Sequence, residues 1–478
     1  METSALLWKI VFVPLAGSLL IPLFGRVSER VRNIYALALA VAPFIFTLTY
    51  IPLVMQGITS TAGKELPFGF DFLLVADGLA VFTALMSSLI SSIIVLYSFG
   101  YISHYENRNE YYVMVLMFLG AMMGIIFSGN LIYFYTFWEI TAFTSWRLIG
   151  FFREKYYVER ADKAFLVTAF GALAMLIGFV MIYQQTGSFN LSVISANLQF
   201  SPLSNAAMLL IMAGILAKSA TLPFHTWLPD AGVAPSPVTA LLHAAVLVKI
   251  GVYAYARLFV VTMPPPEIWN TIVPIIAGTS ALVAATAALV DNDLKRIIAY
   301  STVSQIGFIF LGLSVGSPIG FAGALIYILM HGLSKAGLFL AAGIVEQNTH
   351  TKDITRLGGL FATMPLTAVS FLFCALSVMG IPPFGGFFNK YMVFAGGIES
   401  GRIGITMIFL AGAMLTILYL FRVFYMVFLG DRKGPEAREG SPVMVSCVVL
   451  LAVLSLAGGL LIIYPLRFVD AIVKYAGL

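Results

Sequence analysis

Fourteen apolar stretches recur along this chain, nearly all long enough to cross the roughly 30 Å hydrocarbon layer of a bilayer as a helix. They run over 5–24, 31–54, 75–101, 111–128, 130–149, 162–185, 204–225, 236–262, 270–290, 294–316, 318–345, 365–398, 402–430 and 442–466. Polar or Gly/Pro-containing turns separate them, the tightest being Gly129-Asn130 and Gly316 to Pro318. Of the 478 residues 60% are hydrophobic and only 10% charged, where a soluble chain carries about 25% charged residues. That deficit excludes a water-soluble enzyme, a disordered protein and a nucleic-acid binder. The expected fold is an all-α membrane protein of about 14 transmembrane helices.

The charges test that count. Odd-numbered connections hold fifteen Lys and Arg, among them Arg26, Arg108, Lys163, Lys295, Lys352 and Arg432. Even-numbered connections and the C-terminal tail hold four: Lys64, Arg402, Arg467 and Lys474. Basic residues collect on the cytoplasmic side, so a cell-membrane protein with both termini outside is expected. The net charge of +5 reads as topology and not as a nucleic-acid surface. The first span lacks a small-residue cleavage site and is expected to stay as helix 1. The connections, 55–74, 186–203 and the charged 431–441 among them, are too short for a domain that holds a flavin, nucleotide or iron–sulfur cluster. Cys374 and Cys447 are isolated, and the five His show no metal-ligand spacing. No cofactor, no metal and no catalytic residue is expected.

Seven ionisable side chains lie deep in the spans, where each costs about 2.5–3.5 kcal/mol on insertion scales. They are Glu139 in span 5, Lys218 in span 7, His243 and Lys249 in span 8, His331 and Lys335 in span 11, and Lys390 in span 12. A static ion pair that glues helices explains any one of them. It does not explain all, because lysines outnumber carboxylates four to one. Desolvation disfavours the charged form of a buried amine, which lets it exchange a proton near neutral pH; a nearby carboxylate reverses this. Buried His offers a relay of intermediate affinity. Lys, His and Lys with water between them read as a proton wire. His331 and Lys335 are four apart and share a helix face. His243 and Lys249, about 240° apart on a regular helix, face different neighbours.

Two spans look broken. One runs from Lys218 through Pro223 to Asp230, the other from Met379 through Pro382 and Pro383 to Lys390. Proline interrupts the helix ladder, and unwound backbone at depth is tolerated only inside protein or beside water. Paired interrupted helices suit an inverted-repeat transporter. The expected organisation is helices 1–3 over 1–110, one repeat of helices 4–8 over 111–262, and a second of helices 9–13 over 263–430. A loop and helix 14 follow over 431–478. Five helices per repeat would turn the second copy upside down.

Several motifs stand in order over about residues 75–430: Phe137-Trp138-Glu139-Ile140-Thr141, Lys218 to Pro223, and His225-Thr-Trp-Leu-Pro-Asp230. They continue with Pro235-Ser-Pro-Val-Thr-Ala-Leu-Leu-His243, Asp293-Leu-Lys-Arg296, His331-Gly-Leu-Ser-Lys335 and Gly380-Ile-Pro382 leading to Lys390. The chain thereby resembles the antiporter-like, proton-translocating membrane subunits shared by respiratory complex I, Mrp Na+/H+ antiporters and energy-converting membrane-bound hydrogenases. The resemblance implies that Glu139 modulates Lys218, that His243 and Lys249 continue the path to the centre, and that His331 and Lys335 belong to a second half-channel. Lys390 would be the terminal lysine, although some relatives carry Glu there. Lys163 is a candidate for coupling to a neighbouring subunit, with a positive-inside anchor as the alternative. Arg147 is read as a coupling or interface residue, or as a partner of Glu154 or Glu159. The chain ends soon after span 14, which resembles the shorter family members without a long lateral helix.

The resemblance implies a proton-translocating subunit of a redox-driven ion pump of the complex I or membrane-bound hydrogenase type. Its partners would be other membrane subunits, related antiporter-like ones included, with the redox chemistry done elsewhere. The alternative is an Mrp-type Na+/H+ antiporter subunit, which moves Na+ as well. A Na+ site wants clustered carboxylate and carbonyl oxygens, whereas the deep charges here are mainly cationic. A sugar or drug carrier would commonly have twelve spans and a long cytoplasmic link between halves, which this pattern lacks.

Overall fold

Polar residues in the turns between apolar stretches start the helices. Ser28, Asp77, Asn130, Ser204, Asp293, Ser317 and Ser441 each accept a bond from a backbone N–H in the first helical turn that follows. Such caps satisfy donors that have no partner inside the helix. The computed structural model describes residues 2–66, 70–198, 203–434 and 437–477. Parts of the expected connections 55–74, 186–203 and 431–441 thus lie outside the described residues.

Helix occupies each of the fourteen apolar stretches. Among the described residues ten helices are long and apolar enough to cross a membrane. An eleventh span arises if Ser4–Ser18 and Ile21–Val27, bent by 54° at their junction, count as one. Burial separates centre from rim. In the central helices Leu294–Ser314 and Pro318–Thr349, 94% of the apolar window is buried, against 39% in Lys155–Thr186 and Ile403–Phe428. The rim helices carry large exposed apolar side chains such as Leu166, Phe170, Leu418 and Tyr425, as a lipid-facing surface does.

Four elements were not expected from the apolar pattern. Strands Ser60–Lys64 and Phe72–Ala76 pair antiparallel, one inside the connection read as a loop and one running from it into the expected start of span 3. Helix Leu191–Leu198 fills part of the next. The last span stops at Leu460, short of 466, and a separate helix Ile463–Ala476 follows. That helix buries Val469 and Ile472 and carries Arg467, Asp470 and Lys474, so its sidedness is that of an element at an interface and not inside hydrocarbon.

One set of backbone ties occurs twice. Asn130 pairs with Asn190 and Asp293 with Asp353 in short antiparallel bridges; from 130 to 293 and from 190 to 353 is the same step of 163 residues. In the first, Leu131 N donates to Phe189 O and Leu191 N to Gly129 O; in the second, Leu294 N donates to Lys352 O and Ile354 N to Asn292 O. A 32-residue helix leads into each, Lys155–Thr186 and Pro318–Thr349. Its last threonine hydroxyl donates to the carbonyl two residues on, Ser188 O or Thr351 O, both at 3.1 Å. The residues after these helices, Gly187 and His350, both take the left-handed conformation at φ +70° and +55°.

Both expected breaks are present. Helix Asn205–Lys218 ends at the lysine, and helix resumes at Trp227. Helix Pro365–Met379 ends on Gly380, whose φ of +84° suits glycine, and helix resumes at Gly385. The Leu222–Pro223 and Pro382–Pro383 bonds are cis, and Pro223, Pro382 and Pro383 are exposed on the chain's surface. A third interruption had no proline to announce it. Between Ser236 and Thr262 the helix widens to π-turns at Leu241–Ala245 and Ala256–Thr262, with Val246 off-helix between the first of these and Leu247–Tyr255.

Candidate functional site

The four deep lysines are buried, at 0% exposure for Lys218 and Lys335, 1% for Lys249 and 5% for Lys390. A buried amine must find acceptors, and here they are not carboxylates. Lys218 Nζ donates to Trp138 O at 3.2 Å and lies 5.2 Å from the Trp138 ring centre. Lys249 Nζ donates to Ala244 O at 2.6 Å and His243 O at 3.4 Å. Lys335 Nζ donates to Ser301 Oγ at 2.6 Å and Ile298 O at 3.1 Å. Lys390 Nζ donates to Met379 O at 3.0 Å and lies 5.3 Å from the Phe308 ring centre. The ion pairs among the described residues all involve other lysines and arginines.

The irregular backbone supplies several of these acceptors. His243 O and Ala244 O belong to the π-turn, and Met379 O to the last turn of the broken helix. The same π-turn lets Lys249 reach back to the carbonyl of His243 itself. The positions that receive Lys218 and Lys335, Trp138 and Ser301, are one 163-residue step apart, like the bridges.

The histidines join the lysines. His331 Nδ1 and Lys249 Nζ lie 2.7 Å apart, so His331 bonds a lysine of the neighbouring segment and not Lys335 on its own helix. His243 has Lys335, Lys249 and Lys295 as charge neighbours and packs its ring on Phe339 at 4.5 Å. Neither of its ring nitrogens has a protein partner. His331 Nε2, Ser377 Oγ and Asn389 Oδ1 are likewise buried without a partner. All three residues line one cavity of about 10 Å³ beside Lys390's helix, about the size that holds a single water. Glu139 is half-buried, follows the Trp138 that receives Lys218, and is a charge neighbour of that lysine without bonding it. Its Oε1 has no partner.

A family described as NADH:quinone oxidoreductase/Mrp antiporter, transmembrane, matches residues 128–416. The chain belongs to this family. It is a multi-pass membrane protein. It is 35% identical to Na+/H+ antiporter subunit A1 of Staphylococcus haemolyticus, over 99% of this chain and 62% of that one. It is 34% identical to the Staphylococcus aureus subunit A1, over 95% and 61%. The chain thus spans about three-fifths of the length of these relatives. Its fold is similar to a chain of the Mrp complex from Dietzia sp. DQ12-45-1b, with a TM-score of 0.91 at 23% identity over 99% and 97% of the two chains. It is also similar to a chain of the membrane-bound sulfane sulfur reductase, an archaeal respiratory membrane complex, with a TM-score of 0.89 at 23% identity over 98% and 99%.

In this member of the antiporter family Arg147 and Lys163 both take partners within the chain. Arg147 does not pair with Glu154 or Glu159: its partner is Glu110, which Arg153 shares. The turn after Ile149 folds Arg153 back toward Glu110 and leaves Glu154 facing the next helix start. Lys163 bonds Asp230 at 2.7 Å, and Asp230 also takes Arg296 at 2.9 Å. That tie fastens the start of span 6 to the end of the first broken span.

Two ion pairs escaped the sequence reading. Lys295, counted among loop cations, is 1% exposed and donates to Glu346 Oε2 at 3.0 Å and Ala234 O at 2.7 Å. Arg257, at the end of span 8, is 6% exposed and bonds Asp77 through both nitrogens of its fork. An arginine eight residues beyond Lys249, inside an apolar span, was the available signal. Among the described residues no group of three His, Cys, Asp or Glu converges as metal ligands would.

Proposed function

We propose that this chain is a proton-translocating, antiporter-like subunit of a multi-subunit membrane complex. One observation carries the reading: four buried amines are held by carbonyls, a hydroxyl and an imidazole, never by an acid that would lock their charge. A proton can then be moved along Lys218, His243, Lys249, His331, Lys335 and Lys390, with Glu139 biasing the first of these. The one-water cavity between His331 and Asn389 supports a link from the central pair to Lys390. The recurring ties support reading residues 111–262 and 263–430 as two repeats. With fourteen spans the Asn130 tie falls on the outer face and the Asp293 tie on the cytoplasmic one, the arrangement of inverted copies in the cell membrane with both termini outside.

Two assemblies suit such a subunit. A redox-driven pump of the complex I or hydrogenase type places the chain beside related antiporter-like subunits, and the likeness to a chain of a respiratory complex supports it. An Mrp-type antiporter that exchanges Na+ for protons is favoured by 34–35% identity to subunit A1 proteins over nearly the whole chain. With its co-purifying subunits in proteoliposomes, the chain should move protons, and Lys218→Ala or Glu139→Gln should reduce that movement strongly. Unchanged transport in both variants refutes the relay. An imposed Na+ gradient that drives the protons assigns the Mrp assembly; a requirement for an electron donor assigns the redox-driven one.

A further inference from the structure

The segment Ser236–Thr262 runs through the interior, 89% of its apolar window being buried, and meets at each end an ion pair whose cation is buried and whose carboxylate is half-buried. At its start Ser236 Oγ donates to Glu346 Oε2 at 3.3 Å, and Glu346 holds Lys295 beside a cavity of about 420 Å³. At its far end Arg257 Nη1 and Nη2 donate to the two oxygens of Asp77 at 2.5 and 2.7 Å. Between them Lys249, Tyr253 and Arg257 follow at four-residue spacing on one helix face. The Tyr253 hydroxyl donates to Ile126 O and accepts from Arg257 Nε at 3.0 Å.

Two cavities flank the Asp77–Arg257 pair. One of about 130 Å³ is lined by Asp77, Gly78 and Ile472; the other, of about 180 Å³, by Arg257, Ser128 and Ser192. Val261 lines both. The backbone beneath is the π-turn Ala256–Thr262, an irregularity that costs helix hydrogen bonding and recurs at functional sites. A pair placed only as glue would need neither space on both sides nor a loosened turn below it.

We propose that the Asp77–Arg257 pair is a gate at the end of this segment opposite Lys295. Closed, it seals Lys249 from the two cavities. Parted, it lets water reach Tyr253 and Lys249, so that the ammonium Nζ of Lys249 gives its proton to that water and is left a neutral amine; reversal reloads it. The chain then has a direct outlet at its centre besides the lateral path toward Lys390. The inference rests on the reading of Lys249 as a proton carrier.

The test is passive proton leak in proteoliposomes holding the chain with its partner subunits, under an imposed pH gradient without electron donor or Na+. Asp77→Asn keeps a side chain able to cap the helix at Gly78, and Arg257→Gln leaves that cap untouched. Loss of a charge-assisted pair shifts a closed–open balance by about tenfold or more, and each variant is expected to raise the leak by that factor. Arg257→Lys should restore part of the seal, and Lys249→Met added to Asp77→Asn should abolish the leak. Tight vesicles with both single variants, or a leak that survives loss of Lys249, overturns the gate. Undiminished coupled transport in Lys249→Met alone overturns the carrier reading instead.

Discussion

Lys249 Nζ and His331 Nδ1 share one hydrogen bond of 2.7 Å between segments 82 residues apart in sequence. An ammonium and an imidazolium both only donate, so this contact carries one exchangeable proton and not two fixed charges. His331→Ala should therefore lower proton transport by about 10²-fold, the usual worth of a positioned proton-transfer group, while assembly is unchanged. Lys249→Arg keeps the charge but cannot give up its proton and should fail equally. Transport in proteoliposomes with the partner subunits checks both.

Ser301 is a junction: its hydroxyl accepts from Lys335 at 2.6 Å and from Tyr419 at 2.7 Å. Ser301→Ala takes one bond each from a buried amine and a buried phenol, and a lost bond to a charged group costs about 1.5–3 kcal/mol. Thermal unfolding in detergent should show that loss, and Ser301→Thr should recover most of it.

The second broken span is packed against its own backbone. A Cβ on Gly386 would meet Ser377 O at 1.6 Å, a clash no rotamer relieves. Gly386→Ala should destabilise by about 3 kcal/mol or more, beyond ordinary overpacking. Gly404→Ala, with nothing within 4 Å of the added carbon, should be neutral or gain up to about 1 kcal/mol from helix propensity. Unfolding midpoints of the two variants decide.

Outside the membrane spans, Asp71 accepts from Leu66 N at 2.9 Å and Asn190 Nδ2 at 3.0 Å. These bonds, the backbone one foremost, hold its carboxyl below the usual Asp range. A carboxylate depressed in the folded state stabilises above its unfolded value and stops doing so as pH falls through the folded one. Acidification below the ordinary Asp range should thus speed exchange of the Leu66 amide, after correction for intrinsic rates. Asp71→Ala, which removes the acceptor, should show the fast rate at every pH.

The membrane fold was readable because hydrocarbon thickness sets a length that each apolar stretch must meet. The buried amines were readable by residue type, since a lysine inside such a stretch is conspicuous. Their acceptors were not: Trp138 O, Ala244 O and Met379 O are backbone atoms, which residue identity does not mark. Lys295 and Glu346 sit at the edges of their spans, where charge is ordinary, and only folding shows that the lysine is buried. Nor does a sequence tell that Asp77 meets Arg257 across 180 residues. The recurring tie has a sequence counterpart in Thr186-Gly-Ser188-Phe-Asn190 and Thr349-His-Thr351-Lys-Asp353, too short a likeness to mark it by residue identity.

The two ties are alike in backbone and unlike in side chains. Asn130 Nδ2 donates to Asn190 Oδ1 at 2.7 Å, an amide clasp, whereas Asp293 beside Asp353 is held by Lys352 at 2.9 Å, with about a third of that lysine exposed. Dissolved ions weaken a partly open charge pair and leave a neutral clasp almost untouched. Rising ionic strength therefore loosens one of the two ties ahead of the other, and matching backbones answer the same brine differently.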